Sequence, residues 1–163
     1  MRIVLMDHNL NIGGAQRQRV VLAKGLMDRG HQVTVVVFYP DGALQEELEQ
    51  ARVPVLTLGR TGRWDMGVLV WRLPRLLRRL RPDILYSDRD LPNILGVLLR
   101  PLLPGTRVVW GVEDSSEDLS LFGGMFRVLR RVQWRLARFA HLTIANSLTG
   151  RDVLTRHGFP GGR

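Results

Sequence analysis

Six short apolar runs, each followed by a stretch of helical periodicity, constrain this chain more than any other feature. The runs are Arg2–Met6, Gln32–Phe38, Val53–Leu58, Ile84–Ser87, Arg107–Val112 and Leu142–Ala145. They are continuous rather than alternating, as in strands buried on both faces of a parallel sheet covered by helices. The intervening segments read as helices: Ala15–Arg29, Ala43–Ala51, Met66–Leu80, Leu91–Leu99, Leu121–Phe139 and Leu148–His157. In the first of these, Val20, Ala23 and Met27 share one face, and Gly30 follows its end as a stop. Arg81-Pro82-Asp83 closes the third, and Pro101 and Pro104 follow the fourth. The expected architecture is α/β: an open, doubly wound, mainly parallel sheet, Rossmann-like, with helices on both faces and right-handed crossovers. No repeat, low-complexity stretch or linker divides residues 1–163, so a single domain is expected.

The chain contains no cysteine, and His8, His31, His141 and His157 lack metal-ligand spacing. Disulfides and a metal centre are therefore not expected. No apolar run is long enough to span a bilayer, and the start is too short and too soon acidic for a signal peptide. A cytosolic protein is the default. The net charge is +9, and every base among the 24 Lys+Arg except Lys24 is arginine. The sign favours anionic partners: phosphates, membrane surfaces or nucleic acid. Compositional bias toward arginine is the alternative source of the Arg-over-Lys choice.

Ligands of such sheets sit outside the carboxyl ends of the strands. After the first strand comes D7-H-N-L-N-I-G-G-A15. Gly13 and Gly14 would admit a positive φ and a close backbone approach, and the following helix points its N–H groups at the same place. Arg17 and Arg19 add positive charge there. The pair is thus either a phosphate-facing loop or a tight turn. The dinucleotide fingerprint is absent, no acid ends strand two, and no Walker loop is present, which argues against a nicotinamide enzyme and a P-loop NTPase.

These residues resemble a known family. N11-I-G-G-A-Q-R17 followed by L22-A-K-G-L-M-D-R-G-H-Q-V-T-V35 is similar to the opening of family 4 glycosyltransferases of the GT-B fold. P82-D-I-L-Y-S-D88, V108-V-W-G-V-E-D-S-S-E-D-L-S120 and A140-H-L-T-I-A-N-S-L-T-G150 resemble that family's fourth, fifth and sixth strands and their turns. Two positions depart from its pattern: Glu113 stands where the family usually has Arg, and Gln16 where it usually has Glu. The resemblance covers the N-terminal, acceptor-side half of a two-domain enzyme. It implies retaining sugar transfer from a nucleotide-sugar to a glycan or lipid-linked acceptor, with no obvious side-chain nucleophile. The donor motif E-x7-E belongs to the C-terminal donor-binding domain, which would follow near Arg163. The half would bind no cofactor itself and is expected to be inactive or nearly so alone, because positioning both substrates supplies most of the rate.

On this reading His8, Asn9, Asp88, Arg89, Glu113 and Asp114 are acceptor-binding candidates, and Gly13, Gly14 and Arg17 face the donor phosphates. His8 and Asn9 could equally be a solvated loop. Asp88 fits polyol binding or proton transfer, or helix capping, and Asp90 fits capping the helix that follows. Glu113 and Asp114 make either an acceptor site or a solvated acidic loop. Ser147 reads as an N-cap, with Asn146 beside it. The segments Arg72–Arg81 and Arg127–Arg138 are strongly basic, and no acid stands between Leu119 and Gly150. Arg127, Arg130, Arg131, Arg135 and Arg138 form either a face for anionic lipid or an ordinary solvated helix face. A stand-alone basic module for a polyanion or membrane surface is the competing reading. No signature of nucleic-acid binding is present.

Overall fold

The computed structural model describes residues 1–62, 65–112, 124–156 and 158–159. Six parallel strands form one sheet: β1 (Arg2–Asp7), β2 (Gln32–Val37), β3 (Val55–Thr57), β4 (Ile84–Asp88), β5 (Arg107–Val112) and β6 (Leu142–Ala145). Their order is β3-β2-β1-β4-β5-β6. The order reverses between β1 and β4, where Rossmann-like sheets open a crevice.

Strand side chains alternate between two layers. Ile3, Leu5, Val33, Val35 and Val37 point to the front, into a core closed by α1 (Gly14–Asp28) and α2 (Gln45–Gln50) through Val20, Ala23 and Leu48. Val4, Met6, Val36, Phe38 and Leu85 point to the back, against α3 (Leu73–Leu80) and α4 (Asp90–Leu98). Val108, Trp110 and Val112 continue the back layer under α5 (Gly124–Leu136), with Leu154 of α6 (Leu148–Arg156). Beyond α1 the front face opens into an apolar groove of about 410 Å³ lined by Ile84, Tyr86, Val109, Leu142 and Ile144.

The expected α/β architecture is what the chain adopts, and the departures are local. The third strand is shorter than Val53–Leu58 because Pro54 has no N–H to donate to the ladder, although its carbonyl accepts from Val35 (2.9 Å). Gly59, at φ +70°, turns the chain away after it. The segment expected as one helix over Met66–Leu80 begins with a π-helical turn, Val68–Arg72, in which the N–H of Leu73 reaches Val68 O. Pro74 lies just beyond, and its missing N–H and its ring disfavour a regular α-helical ladder through this turn. The helix expected over Leu121–Phe139 is α-helical over Gly124–Leu136 and tightens to a 3₁₀ turn at Ala137–Phe139. Its first residues, 121–123, lie outside the described residues.

Candidate functional site

The floor of the crevice is a buried charge cluster. β1 ends in Asp7 and β4 in Asp88, and neither exposes any surface. Arg19 enters between them from the second turn of α1 and is itself 2% exposed. Its Nη2 contacts Asp88 Oδ2, its Nε lies 3.5 Å from Asp7 Oδ2, and its Cζ rests 4.5 Å from the centroid of the Tyr86 ring. The end of the Tyr86 ring can lie there because Gly111 of β5, the register partner of Asp88, has no side chain. A Cβ at Gly111 would strike the Tyr86 hydroxyl and stand 2.9 Å from Cζ. Burial, and then the nearby Asp88, push the Asp7 carboxyl up to about 6, against the opposing pull of Arg19 and of the His8 N–H that Asp7 Oδ1 accepts (2.5 Å). Beside this cluster, Asn93 of α4 ties β4 to β5. Its Oδ1 accepts from Ser87 Oγ (2.8 Å), and its Nδ2 donates to Gly111 O (3.1 Å).

Above the floor stands a rim of rings and guanidinium groups. The backbone continues the sheet past its strands here: the Tyr39 N–H donates to His8 O (3.1 Å) and the Arg60 N–H to Phe38 O (2.9 Å). The half-buried His8 ring packs 4.8 Å from the Tyr39 ring and 5.9 Å from Phe38. Arg60 is 2% exposed; its Cζ lies 5.0 Å over Tyr39 and its Nη2 donates to Gly62 O (3.2 Å). Burial, then Arg60 and Arg89, hold the His8 imidazole below its usual range, so it is mostly neutral at pH 7. Arg89 links β4 to α4 with φ 64° and ψ 166°, a region close to glycine-only, at a cost of about 1–3 kcal/mol. Asn9 folds its own loop: its Oδ1 accepts from the Asn11 N–H (3.1 Å).

Several expected site residues are placed differently. Gly13 is extended (φ −175°, ψ 162°) and Gly14 begins α1, so neither takes the positive φ expected of the pair. What Gly13 does require is space, since a Cβ there would strike Oε1 of the buried Gln16. Gly14 opens to solvent, and Gly13, the N-cap residue of α1, has no side chain to cap it. Arg17 leans toward α2, with Nη1 3.7 Å from Glu47 Oε2, and away from the crevice. Asp88 lies beneath the site, engaged by Arg19, with no surface for an acceptor to touch. Asp90 is the first residue of α4. Its Oδ1 is 3.0 Å from Nε of Arg130, and both residues are buried. Arg130 therefore leaves the proposed anion face: it is a core residue pinning α5 to α4. Glu113 and Asp114 lie outside the described residues. Ser147 does cap α6, its Oγ accepting from the Gly150 N–H (3.0 Å).

The other basic residues of α5 face outward. Arg127, Arg131 and Arg135 are exposed among Met125, Val128 and Val132, and Arg138 covers the exposed ring of Phe139 (5.0 Å). In the turn before α3, Trp71 is 62% exposed and lies 5.2 Å from the Arg75 guanidinium. Arg78 and Arg79 are also exposed on α3. The back layer thus presents apolar side chains set among arginines at both of its ends. No helix among the described residues is long and apolar enough to cross a membrane.

Arg60, Tyr39 and Asn93 escape the sequence reading. The strand-end rule that found His8 and Asp88 also points to Arg60, two residues past the third expected strand, and to Tyr39, just past the second. Asn93 carries no such signal.

A parallel sheet in this order, with a polar crevice at the switch point, defines a doubly wound, Rossmann-like domain. The sequence matches Glycosyltransferase Family 4 over residues 12–163, and the chain belongs to that family. Solved structures agree on the fold. Anabaena Alr3699/HepE, crystallised with UDP and glucose, superposes with a TM-score of 0.76 at 24% identity, over 98% of this chain and 41% of its own. The lipopolysaccharide outer core galactosyltransferase WaaB, in its apo form, gives 0.73 at 10% identity, over 100% and 45%. UDP-GlcNAc 2-epimerase from Methanocaldococcus jannaschii gives 0.64 at 12% identity, over 97% and 43%. The chain therefore spans less than half the length of these solved chains. A search of curated proteins found no match.

Proposed function

We propose that this chain is the acceptor-binding domain of a retaining, nucleotide-sugar-dependent glycosyltransferase of the hexosyl-transfer type. The observation that carries the reading is the family match over residues 12–163. In the reaction, the bond from the anomeric carbon to the nucleoside diphosphate breaks and the diphosphate leaves with the electron pair. A bond forms from the same carbon to an acceptor hydroxyl, whose proton is released. The acceptor, a glycan or lipid-linked sugar, lies on the rim of His8, Asn9 and Arg89, over the rigid floor that Arg19 holds. A C-terminal donor-binding domain brings the nucleotide-sugar from the facing side, and this domain alone is inactive. Rigid support of this kind places an acceptor hydroxyl for attack. The exposed arginine and apolar side chains of α3 and α5 suit an anionic membrane surface, where lipid-linked acceptors reside.

The test is transfer of radiolabel from a panel of nucleotide-sugars to membrane lipid and glycan extracts by the native gene product that contains this chain. Residues 1–163 alone are run in parallel. Labelled lipid or glycan from the native product, and none from the domain, is the expected result. Hydrolysis or epimerisation of the donor with no transfer to any acceptor overturns the reading.

A further inference from the structure

We propose that Arg2, Arg78 and Arg81 form a binding site for a phosphate group at the edge of the sheet opposite the crevice. A recess of about 610 Å³ opens there between the end of α3 and the loop that leads into β5. Pro82, Leu102, Leu103 and Pro104 wall it with apolar surface, and the three arginines line it beside one carboxylate, Asp83. Two sets of contacts fix its shape. The Arg2 N–H and Nη2 donate to Asp83 Oδ2 (2.7 Å) and Oδ1 (3.2 Å), and Thr106 Oγ1 donates to Pro82 O (2.7 Å). The site rests on this geometry and not on the transferase reading.

Asp83 is engaged by Arg2, whereas neither the Arg78 nor the Arg81 guanidinium has a partner among the described residues. The carbonyl end of α3 supplies about half a negative charge. Against it stand Arg78, Arg79 and Arg81, all exposed and all within four residues of sequence. Like charges this close on a helix end repel unless an anion answers them. Arg81 ends α3 in the left-handed region (φ 46°, ψ 58°), where glycine is the usual residue. An arginine at a position that glycine would relax points to use of its side chain. The rest of this edge is basic as well. Arg29 and Arg52 at the ends of α1 and α2, Arg100 beyond α4 and Arg107 at the start of β5 are exposed here, against Asp28 and Glu49. The undescribed residues next to this edge in sequence, 157 and 160–163, contain no acid. The acidic segment 113–123 runs between Val112, the last residue of β5, and Gly124, the first of α5, both at the crevice edge. Two unpartnered guanidinium forks and the remaining N–H groups of Arg2 offer more donors than the two oxygens of a carboxylate can use. They match the oxygens of a phosphate.

The experiment titrates inorganic phosphate, glycerol phosphate and acetate at constant ionic strength into residues 1–163 and follows the arginine Nε–Hε resonances by NMR. Expected is millimolar binding of both phosphates that shifts the Arg78 and Arg81 resonances, with acetate about tenfold weaker. Arg81→Gly relieves the backbone and removes the guanidinium, so it should keep the urea midpoint while weakening phosphate binding about tenfold. Arg78→Gln, on the regular part of the helix, should weaken binding to a similar degree. Arg29→Gln removes the same charge from the same edge outside the recess and should bind phosphate as the wild type does. Unmoved Arg78 and Arg81 resonances, acetate bound as tightly as phosphate, or equal losses in Arg29→Gln and Arg81→Gly overturn the site. Phosphatidylcholine vesicles with and without phosphatidic acid separate the two sources of the phosphate. Sedimentation with phosphatidic acid that Arg81→Gly abolishes assigns the group to a lipid headgroup. Sedimentation that Arg81→Gly leaves unchanged, with glycerol phosphate still bound by the wild type, assigns it to a soluble ester.

Discussion

Arg19 joins α1 to the end of β4 by binding Asp88, across 69 residues of sequence and directly over the switch point of the sheet. The contact makes the crevice floor a rigid, dry surface instead of a reactive one. A guanidinium placed between two carboxylates on an aromatic ring has little freedom to reach a ligand. Its role is to keep β1 and β4 in register, so that the loops after them present His8 and Arg89 at a constant distance.

Replacing Arg19 by Met should therefore cost about 3–5 kcal/mol, because it leaves Asp7 and Asp88 buried against each other without the guanidinium between them. The same change made in an Asp7→Asn/Asp88→Asn background should cost clearly less, since no buried charge is then stranded. Urea denaturation of the four proteins measures both values. Equal costs in the two backgrounds would show that Arg19 acts through its packing on Tyr86 alone.

The raised Asp7 carboxyl makes a pH prediction. Its folded-state value, about 6, lies above its unfolded value near 3.8. Between those values the folded protein holds a proton that the unfolded chain releases, so Asp7 stabilises the acid side and this contribution is lost as pH rises to about 6. His8 and His141, held below their usual range by burial first, act oppositely: their contribution is present above about 6.5 and lost as pH falls. Asp83 and Glu47, lowered by hydrogen bonds from Arg2 and Lys24, titrate further down. Subtracting Asp7→Asn from the wild type at each pH removes these shared terms. The wild-type advantage should shrink by on the order of 2 kcal/mol between about pH 4.5 and 7.5. A difference that stays flat over that range would mean that Asp7 is already ionised at the acid end.

The strands were legible because their side chains are buried on both faces, which removes polar alternation from the sequence itself. Arg19 was half legible: it stands four residues before Ala23 and seven before Leu26, on the helix stripe that meets the sheet, whereas Arg17 falls on the outer face. The partner of Arg19 was not, since nothing local links it to Asp88. Arg130 misled for a similar reason. It repeats with Arg127 and Arg131 in sequence, and only the packing of α5 on α4 shows that it turns inward to Asp90. The glycine pair reads as a ligand loop because glycine permits many conformations, and the sequence cannot say that Gly13 uses an ordinary one to make room for Gln16.

Gly111 is a clearer case of a glycine with a steric duty. A Cβ there would stand 2.9 Å from Cζ of Tyr86 and 3.1 Å from the Asp88 Cβ, and would strike the Tyr86 hydroxyl. Gly111→Ala should destabilise by about 1–3 kcal/mol, as overpacking does. The effect should be smaller in Tyr86→Leu, where the ring is gone, so the two changes are less than additive. Denaturant midpoints of the two single variants and the double variant measure this. Full additivity would place the clash elsewhere on β5.

Arg130 and its four exposed neighbours should separate cleanly by assay. Arg130→Gln breaks the 3.0 Å pair with Asp90 inside the protein, so it should cost about 3–5 kcal/mol of stability. It should leave binding to anionic vesicles unchanged at temperatures where the protein is folded. Changing Arg127, Arg131, Arg135 and Arg138 together to Gln should leave stability within about 1 kcal/mol, because surface substitutions remove little. Co-sedimentation with phosphatidylglycerol vesicles should then fall by two orders of magnitude or more, at about 1 kcal/mol for each base near the surface. Exposed Val128 and Val132 between these bases make the face amphipathic, so Val128→Asp should also weaken vesicle binding with no change in net arginine content. If the fourfold variant sediments with vesicles as the wild type does, α5 is a solvated outer helix and its arginines have no membrane role.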